Sequence, residues 1–163
     1  MSIVVGLAVG KHRIIAGDQR ESTVDGHKFD RAPKVYHMKT GLLGFTGSVE
    51  PESKLVSVLR KADDPTQASL PKGEYEALFY SRNGKVYVIG GGKVVVSENR
   101  AAICLGSAYQ YAYGAVWAID KAFGKKSRSK EYLIKLARMG VRAGIEFNNT
   151  CGGRVQVKYM EVV

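Results

Sequence analysis

The opening of the chain constrains the fold more than any other stretch. Residues 3–9 (Ile-Val-Val-Gly-Leu-Ala-Val) and 12–16 (His-Arg-Ile-Ile-Ala) are apolar, largely β-branched runs separated only by Gly10-Lys11. Two such runs around a glycine-containing turn predict a β-hairpin. The core-forming run starts at the third residue, so we expect no leader ahead of it. Ser2 then sits where the chain enters the sheet.

Beyond the hairpin, residues 19–33 are polar and irregular and read as a long loop or loose hairpin. Residues 34–39 and 42–46 are short strands turned at Thr40-Gly41, and Gly47-Ser48 breaks the second. Pro51 suits the first turn of a helix over 51–62, where Leu55, Val58, Leu59 and Ala62 recur at helical spacing. A breaker-rich loop over 63–73 leads to strands at 75–81, 85–89 and 93–97, with turns at Asn83-Gly84 and Gly90-Gly91-Gly92. A buried strand over 101–105 stops at Gly106-Ser107. The period then becomes helical, with Ala108, Tyr111, Ala112, Ala115, Val116, Ile119 and Ala122 on one face. Ser129 is placed to cap a further helix whose inward face carries Leu133, Leu136, Ala137, Gly140, Val141 and Gly144. Gly152-Gly153 turns into a final alternating strand over 154–162. Strands and helices come in runs, which argues against a parallel doubly wound sheet and for antiparallel sheets with helical layers.

The length of 163 residues fits one domain, and no linker divides 1–163. At 45% hydrophobic the chain can build a core, so disorder is excluded as an organising principle. No apolar run reaches the roughly 20 residues of a membrane span, so we expect no membrane association and a cytoplasmic location. Cys104 and Cys151 make no disulfide framework and read as buried thiols. The net charge of +10 raises the question of nucleic acid. It is spread along the chain, however, and its densest cluster, Lys121, Lys125, Lys126, Arg128 and Lys130, reads as an exposed helix–helix linker. No aromatic-rich RNA-binding signature or zinc-ligand spacing appears. Nucleic acid is therefore not the expected partner, and no metal or cofactor is expected.

Five positions could carry chemistry. With Met1 removed, Ser2 holds a hydroxyl and a free α-amine on one residue. An amine with an ordinary pKa of about 7.7–8.0 can act as a base near neutrality and activate that hydroxyl. Ser2 is equally the small residue that commonly follows an initiator methionine. Asp18 is by itself a turn residue, but the hairpin brings the end of its second strand beside the start of the first, near Ser2. Lys34 is a surface lysine unless it points inward. There it would need Asp18 as a partner, because a buried unpaired ammonium is costly, and its charge would lower the pKa of the Ser2 groups. Gly44-Phe-Thr-Gly47-Ser48 is either an ordinary strand-to-helix turn or a place where the Gly47 N–H stabilises an oxyanion. Ser107 is either a helix cap or a hydroxyl near the Ser2 amine.

Taken in order, the apolar strand beginning at Ser2, Gly17-Asp18, Ala32-Pro-Lys34-Val, Gly44-Phe-Thr-Gly47, Leu105-Gly-Ser107 and Gly152-Gly153 before the last strand resemble the proteasome β-type subunits, closest in style to bacterial HslV, among the N-terminal-nucleophile (Ntn) hydrolases. The resemblance implies an α+β fold, a four-layer αββα sandwich. It implies a homo-oligomeric ring whose nucleophiles face a chamber that admits unfolded polypeptide, with an ATP-dependent unfoldase as a possible partner. It casts Ser2 as nucleophile and base, Lys34 as the group that tunes it, Asp18 as the holder of Lys34, Gly47 as the oxyanion hole and Ser107 as support for the amine.

Three departures matter. Ser2 stands where the family uses threonine, which keeps the hydroxyl but loses the methyl that restricts its rotamer. Asn148 stands where many members carry Asp, before Cys151-Gly152-Gly153. The stretch from Ser48 to Tyr75 is short for the usual pair of long helices, so we expect a reduced outer helical layer. The alternatives to a peptidase are a catalytically silent ring subunit that retains Met1 and an Ntn amidohydrolase acting on a small amide.

Overall fold

The computed structural model describes residues 2–22, 27–29, 32–97, 100–123 and 128–162. The hairpin forms as predicted. β1 (Ile3–Val9) and β2 (His12–Gly17) pair antiparallel with Val4 opposite Gly17 and Leu7 opposite Ile14. Between β2 and the next long strand lie β3 (Glu21–Ser22) and β4 (Lys28–Phe29), a two-stranded pair that matches the loose hairpin. β5 (Val35–Met38), β6 (Gly41–Gly47), β7 (Tyr75–Ser81), β8 (Val86–Gly90) and β9 (Lys93–Val96) form an antiparallel sheet in that order. β10 (Ala102–Gly106) and β11 (Gln156–Glu161) flank the hairpin in a second sheet ordered β10-β1-β2-β11.

Strand alternation explains the layering, because successive side chains point to opposite faces. Ile3, Val5 and Leu7 of β1, with Ile14 and Ala16 of β2, pack against two helices, α2 (Tyr109–Phe123) and α3 (Lys130–Phe147). Val4 and Ile15 face the other way and meet Leu42, Leu78 and Tyr80 of the second sheet. Leu43, Phe45 and Phe79 on the far side of that sheet pack under Leu55, Val56 and Leu59 of α1 (Val49–Leu59). The chain is therefore a four-layer sandwich, and α1 is the single α-helix of its outer layer on that side among the described residues. The sheets approach closely where glycines face each other's layer. A Cβ on Gly44 would lie 2.6 Å from Val4 Cγ1 and 2.7 Å from Ile15 Cγ2.

The inward face of α3 is the predicted one, and Ser129 Oγ accepts the Tyr132 N–H at the cap. The face of α2 is narrower than predicted. Ala108, Ala112 and Val116 are buried, while Tyr111 is 45% exposed and its ring meets Phe147 on the outside. A stripe spaced by four suffices because α2 is wedged between α3 and β10. The helix predicted over 51–62 starts earlier, at Val49, and the last strand later, at Gln156. Residues 124–127, which include Lys125 and Lys126 of the basic cluster, lie outside the described residues; Lys121, Arg128 and Lys130 are exposed.

Candidate active site

The hairpin brings Asp18 back to the start of β1. Asp18 is fully buried. Its Oδ1 accepts the Ile3 N–H at 3.1 Å and its Oδ2 accepts the Gly152 N–H at 2.9 Å. Its own N–H donates to the Ile3 carbonyl at 3.2 Å. One carboxylate thus ties the residue after Ser2 to the glycine turn that precedes β11. Burial raises its pKa, and the two amide donors and the Lys34 charge pull against that rise.

Lys34 points inward, with 1% of its surface exposed, and its backbone N–H donates to Gln156 Oε1 at 2.8 Å. The predicted Asp18–Lys34 contact needs a correction. The lysine acts on Asp18 through its field but does not close to the 4.0 Å of an ion pair. Each carboxylate oxygen instead accepts a backbone N–H.

A second buried carboxylate shares the lysine. Glu52 of α1 is 7% exposed, and its Oε1 accepts the Tyr36 hydroxyl at 2.8 Å. Burial is the largest influence and raises its pKa, while Tyr36 and Lys34 lower it. An acid with a raised folded-state pKa gives stability that is full at low pH and is lost as pH rises through that pKa. Glu52→Gln keeps an oxygen for Tyr36 and removes the buried charge. The variant is expected to melt at least as high as wild type at pH 8. Wild type should gain on it as pH falls toward the ordinary glutamate value of 4.5. Thermal unfolding of both proteins across that range checks this, and a constant gap at all pH values would refute it. Sequence reasoning missed Glu52. The signal was available, since positions 52, 55, 56 and 59 lie on one helical face and Glu52 is the only acid among them.

Ser2 is 2% exposed, and among the described residues its hydroxyl has no hydrogen-bond partner. It lines a cleft of about 430 Å³ together with Thr46, Gly47, Ser48, Tyr75 and Ser107. The Ser2 carbonyl accepts the Ser107 N–H at 3.1 Å. Gly47 reaches the cleft through backbone geometry. Phe45, two residues earlier on β6, donates its N–H to Lys34 O at 2.9 Å. The Gly47 N–H leaves the strand on that same edge, beyond the point where β5 begins. Gly47 has φ +121°, and a Cβ there would lie 2.6 Å from Glu74 O. Glycine is therefore required at this wall of the cleft.

Ser107 is held by a network that includes Asn148, the departure noted in the sequence, and Thr150, which the sequence did not single out. Its Oγ lies 2.9 Å from Thr150 Oγ1, and its carbonyl accepts from Asn148 Nδ2 at 3.1 Å. Asn148 Oδ1 in turn accepts the Thr150 N–H at 3.0 Å. An asparagine can donate and accept in this way, whereas an ionised aspartate could only accept. Cys151, 1% exposed, has its thiol pKa pushed up first by burial and then by Asp18, which suits a packing role. The structure thus gathers Ser2, Asp18, Lys34, Gly47 and Ser107 at one end of the sandwich. A larger cleft of about 710 Å³, bordered by Ala8, Arg13 and Arg100, sits toward the other end of β1.

The fold and its layers match solved structures along almost the whole chain. Eukaryotic HslV from Trypanosoma brucei superposes with a TM-score of 0.73 at 17% identity, over 98% of this chain and 99% of that one. Thiobacillus denitrificans BPH in complex with epoxomicin gives 0.75 at 20% identity, over 99% of both chains. The fold is that of the HslV and proteasome-type Ntn hydrolases. Anbu, as a Gly-1 mutant from Hyphomicrobium sp. strain MC1, aligns at 0.74 and 13% identity, over 99% of this chain and 82% of that one. No protein-family model and no curated protein matches the sequence. The Ntn-type sandwich predicted from the order of motifs is therefore present, with its reduced helical layer. Among the described residues no helix is long and apolar enough to cross a membrane.

Proposed function

We propose that the chain is a peptidase that uses Ser2 as an N-terminal nucleophile once Met1 is removed. The observation that carries this reading is the Ser2 hydroxyl, unpartnered among the described residues, in the wall of the cleft of about 430 Å³, with the Gly47 amide edge beside it. In the reaction, Ser2 Oγ attacks the carbonyl carbon of a peptide bond. Its proton passes to the Ser2 α-amine, directly or through a water. The Gly47 N–H faces the oxyanion, and Ser107 steadies the chain at the amine. The proton then goes to the departing amine as the C–N bond breaks, leaving an ester on Ser2. Water, deprotonated by the same amine, hydrolyses the ester and restores the enzyme. Lys34, set between Asp18 and Glu52, favours the deprotonated amine and the ionised hydroxyl.

The fold further suggests a homo-oligomeric ring that encloses the Ser2 clefts and acts on unfolded polypeptide, with an ATP-dependent unfoldase as a candidate partner. The test is the intact mass of purified protein before and after an epoxyketone, the class of compound held by the Thiobacillus relative. Such a reagent needs a hydroxyl and a free amine on the same residue. Loss of the Met1 mass followed by one stoichiometric adduct supports the reading. A chain that keeps Met1 and takes no adduct removes it in favour of a silent ring subunit.

A further inference from the structure

Two residues of the cleft wall have no part in that reaction. Glu74 and Glu76 both line it, and no lining residue is Lys or Arg. Neither glutamate makes an ion pair among the described residues. Glu76 is fixed in place. Its Oε2 accepts the Gly106 N–H at 3.1 Å, and its carbonyl accepts the Thr46 hydroxyl at 3.3 Å. Gly106 is the neighbour of Ser107, whose N–H reaches the Ser2 carbonyl. The carboxylate is therefore held at the end of β10, in the same cleft wall as Ser2.

This acidic spot runs against the rest of the molecule. The chain carries a net charge of +10, a balance that repels cationic ligands from the surface at large. The Glu76 carboxylate in this cleft wall, with Glu74 lining the same wall, reverses that balance locally. We propose that the cleft selects a cationic side chain, and that Glu76, assisted by Glu74, makes the enzyme prefer Lys or Arg beside the cleaved bond. The selection rests on the peptidase reading and names its substrate class. An extended peptide would place its carbonyl over Ser2 and its ammonium or guanidinium against Glu76. A neutral side chain gains nothing there, and an acidic one is repelled.

The test is a set of fluorogenic peptides that differ only in carrying Arg, Leu or Glu before the scissile bond. Exposed carboxylates act modestly on a bound cation, so kcat/KM for the Arg peptide is expected to exceed that for Leu by about tenfold at low salt. The advantage should shrink as salt rises, because the charges are screened. Glu76→Gln keeps an acceptor for the Gly106 N–H and should bring the Arg-to-Leu ratio down to about one- to threefold, chiefly through KM. Equal wild-type rates on Arg and Leu peptides, with hydrolysis intact, overturn the selection and leave the peptidase standing. A ratio that survives both Glu76→Gln and Glu74→Gln overturns the assignment to these carboxylates. Absence of hydrolysis on every peptide, with no epoxyketone adduct, removes the peptidase reading and this selection with it.

Discussion

A Ser2→Ala chain is expected to lose peptide hydrolysis by at least about a thousandfold while folding like wild type. The two halves of this expectation have separate grounds. The hydroxyl accepts and donates no hydrogen bond among the described residues, so its removal strands no partner. What remains is an alanine in a pocket already shaped for a side chain of that size, and the stability change should stay within about 0.5 kcal/mol. The strand entry is fixed by other atoms: the Ile3 N–H on Asp18 and the Ser107 N–H on the Ser2 carbonyl. Catalysis has no such redundancy, because only the Ser2 oxygen can form the ester. Peptide hydrolysis and thermal unfolding of the same preparation check both halves. Activity near wild type would remove Ser2 from the mechanism, and the Gly47 and Ser107 assignments would go with it. A matching loss of melting temperature would mean that the hydroxyl is structural. Ser2→Thr should keep the activity, since it preserves the oxygen and adds a methyl that restricts the rotamer.

What the sequence made legible is what periodicity and local turns encode. The hairpin of β1 and β2 follows from two apolar runs and Gly10. The buried face of α3 follows from a stripe that repeats over most of its length. Even the single helix between β6 and β7 could be foreseen, because the intervening chain is too short for two long ones. The site was legible as a set of positions but not as a set of contacts. Asp18 was expected to hold Lys34, yet its nearest partners are amides of Ile3 and Gly152, the latter 134 residues away in sequence. Backbone donors leave no mark in the residue alphabet, so no pattern could announce them. Asn148 and Thr150 bracket Ser107 for a similar reason: the contact forms only once α3 has returned to the end of β10. The face of α2 failed differently. Tyr111 suits an apolar stripe by composition, but it finds its neighbour in Phe147 on the outer surface, which a single-helix pattern cannot foresee.

Gly106→Ala should produce the largest loss of stability of any of these substitutions, about 3 kcal/mol, and carry activity down with it. Gly106 closes β10 opposite Ile3, at φ +94°, a backbone region that alanine adopts only with strain. A Cβ there would lie 2.0 Å from the Ser2 carbonyl oxygen and 2.9 Å from its carbon. Those are backbone atoms of the strand that begins the fold, and they cannot swing aside as a flexible side chain could. Either β10 or the Ser2 peptide must move. The Ser107 N–H bond to Ser2 O and the Glu76 bond to the Gly106 N–H lie directly in that path. For a chain of this size the loss corresponds to a melting temperature lower by roughly 6–12 °C. Gly114→Ala is the control. It sits within α2 with nothing within 4 Å of an added Cβ, and should raise stability by about 0.8–1 kcal/mol through helix propensity alone. If Gly106→Ala instead melts with wild type, β10 does not approach Ser2 as closely as the register of β1 and β10 requires. If it melts lower yet cleaves at the wild-type rate, the position of the Ser2 carbonyl matters to the fold and not to the reaction. A joint loss makes the end of β10 the element that seats the nucleophile.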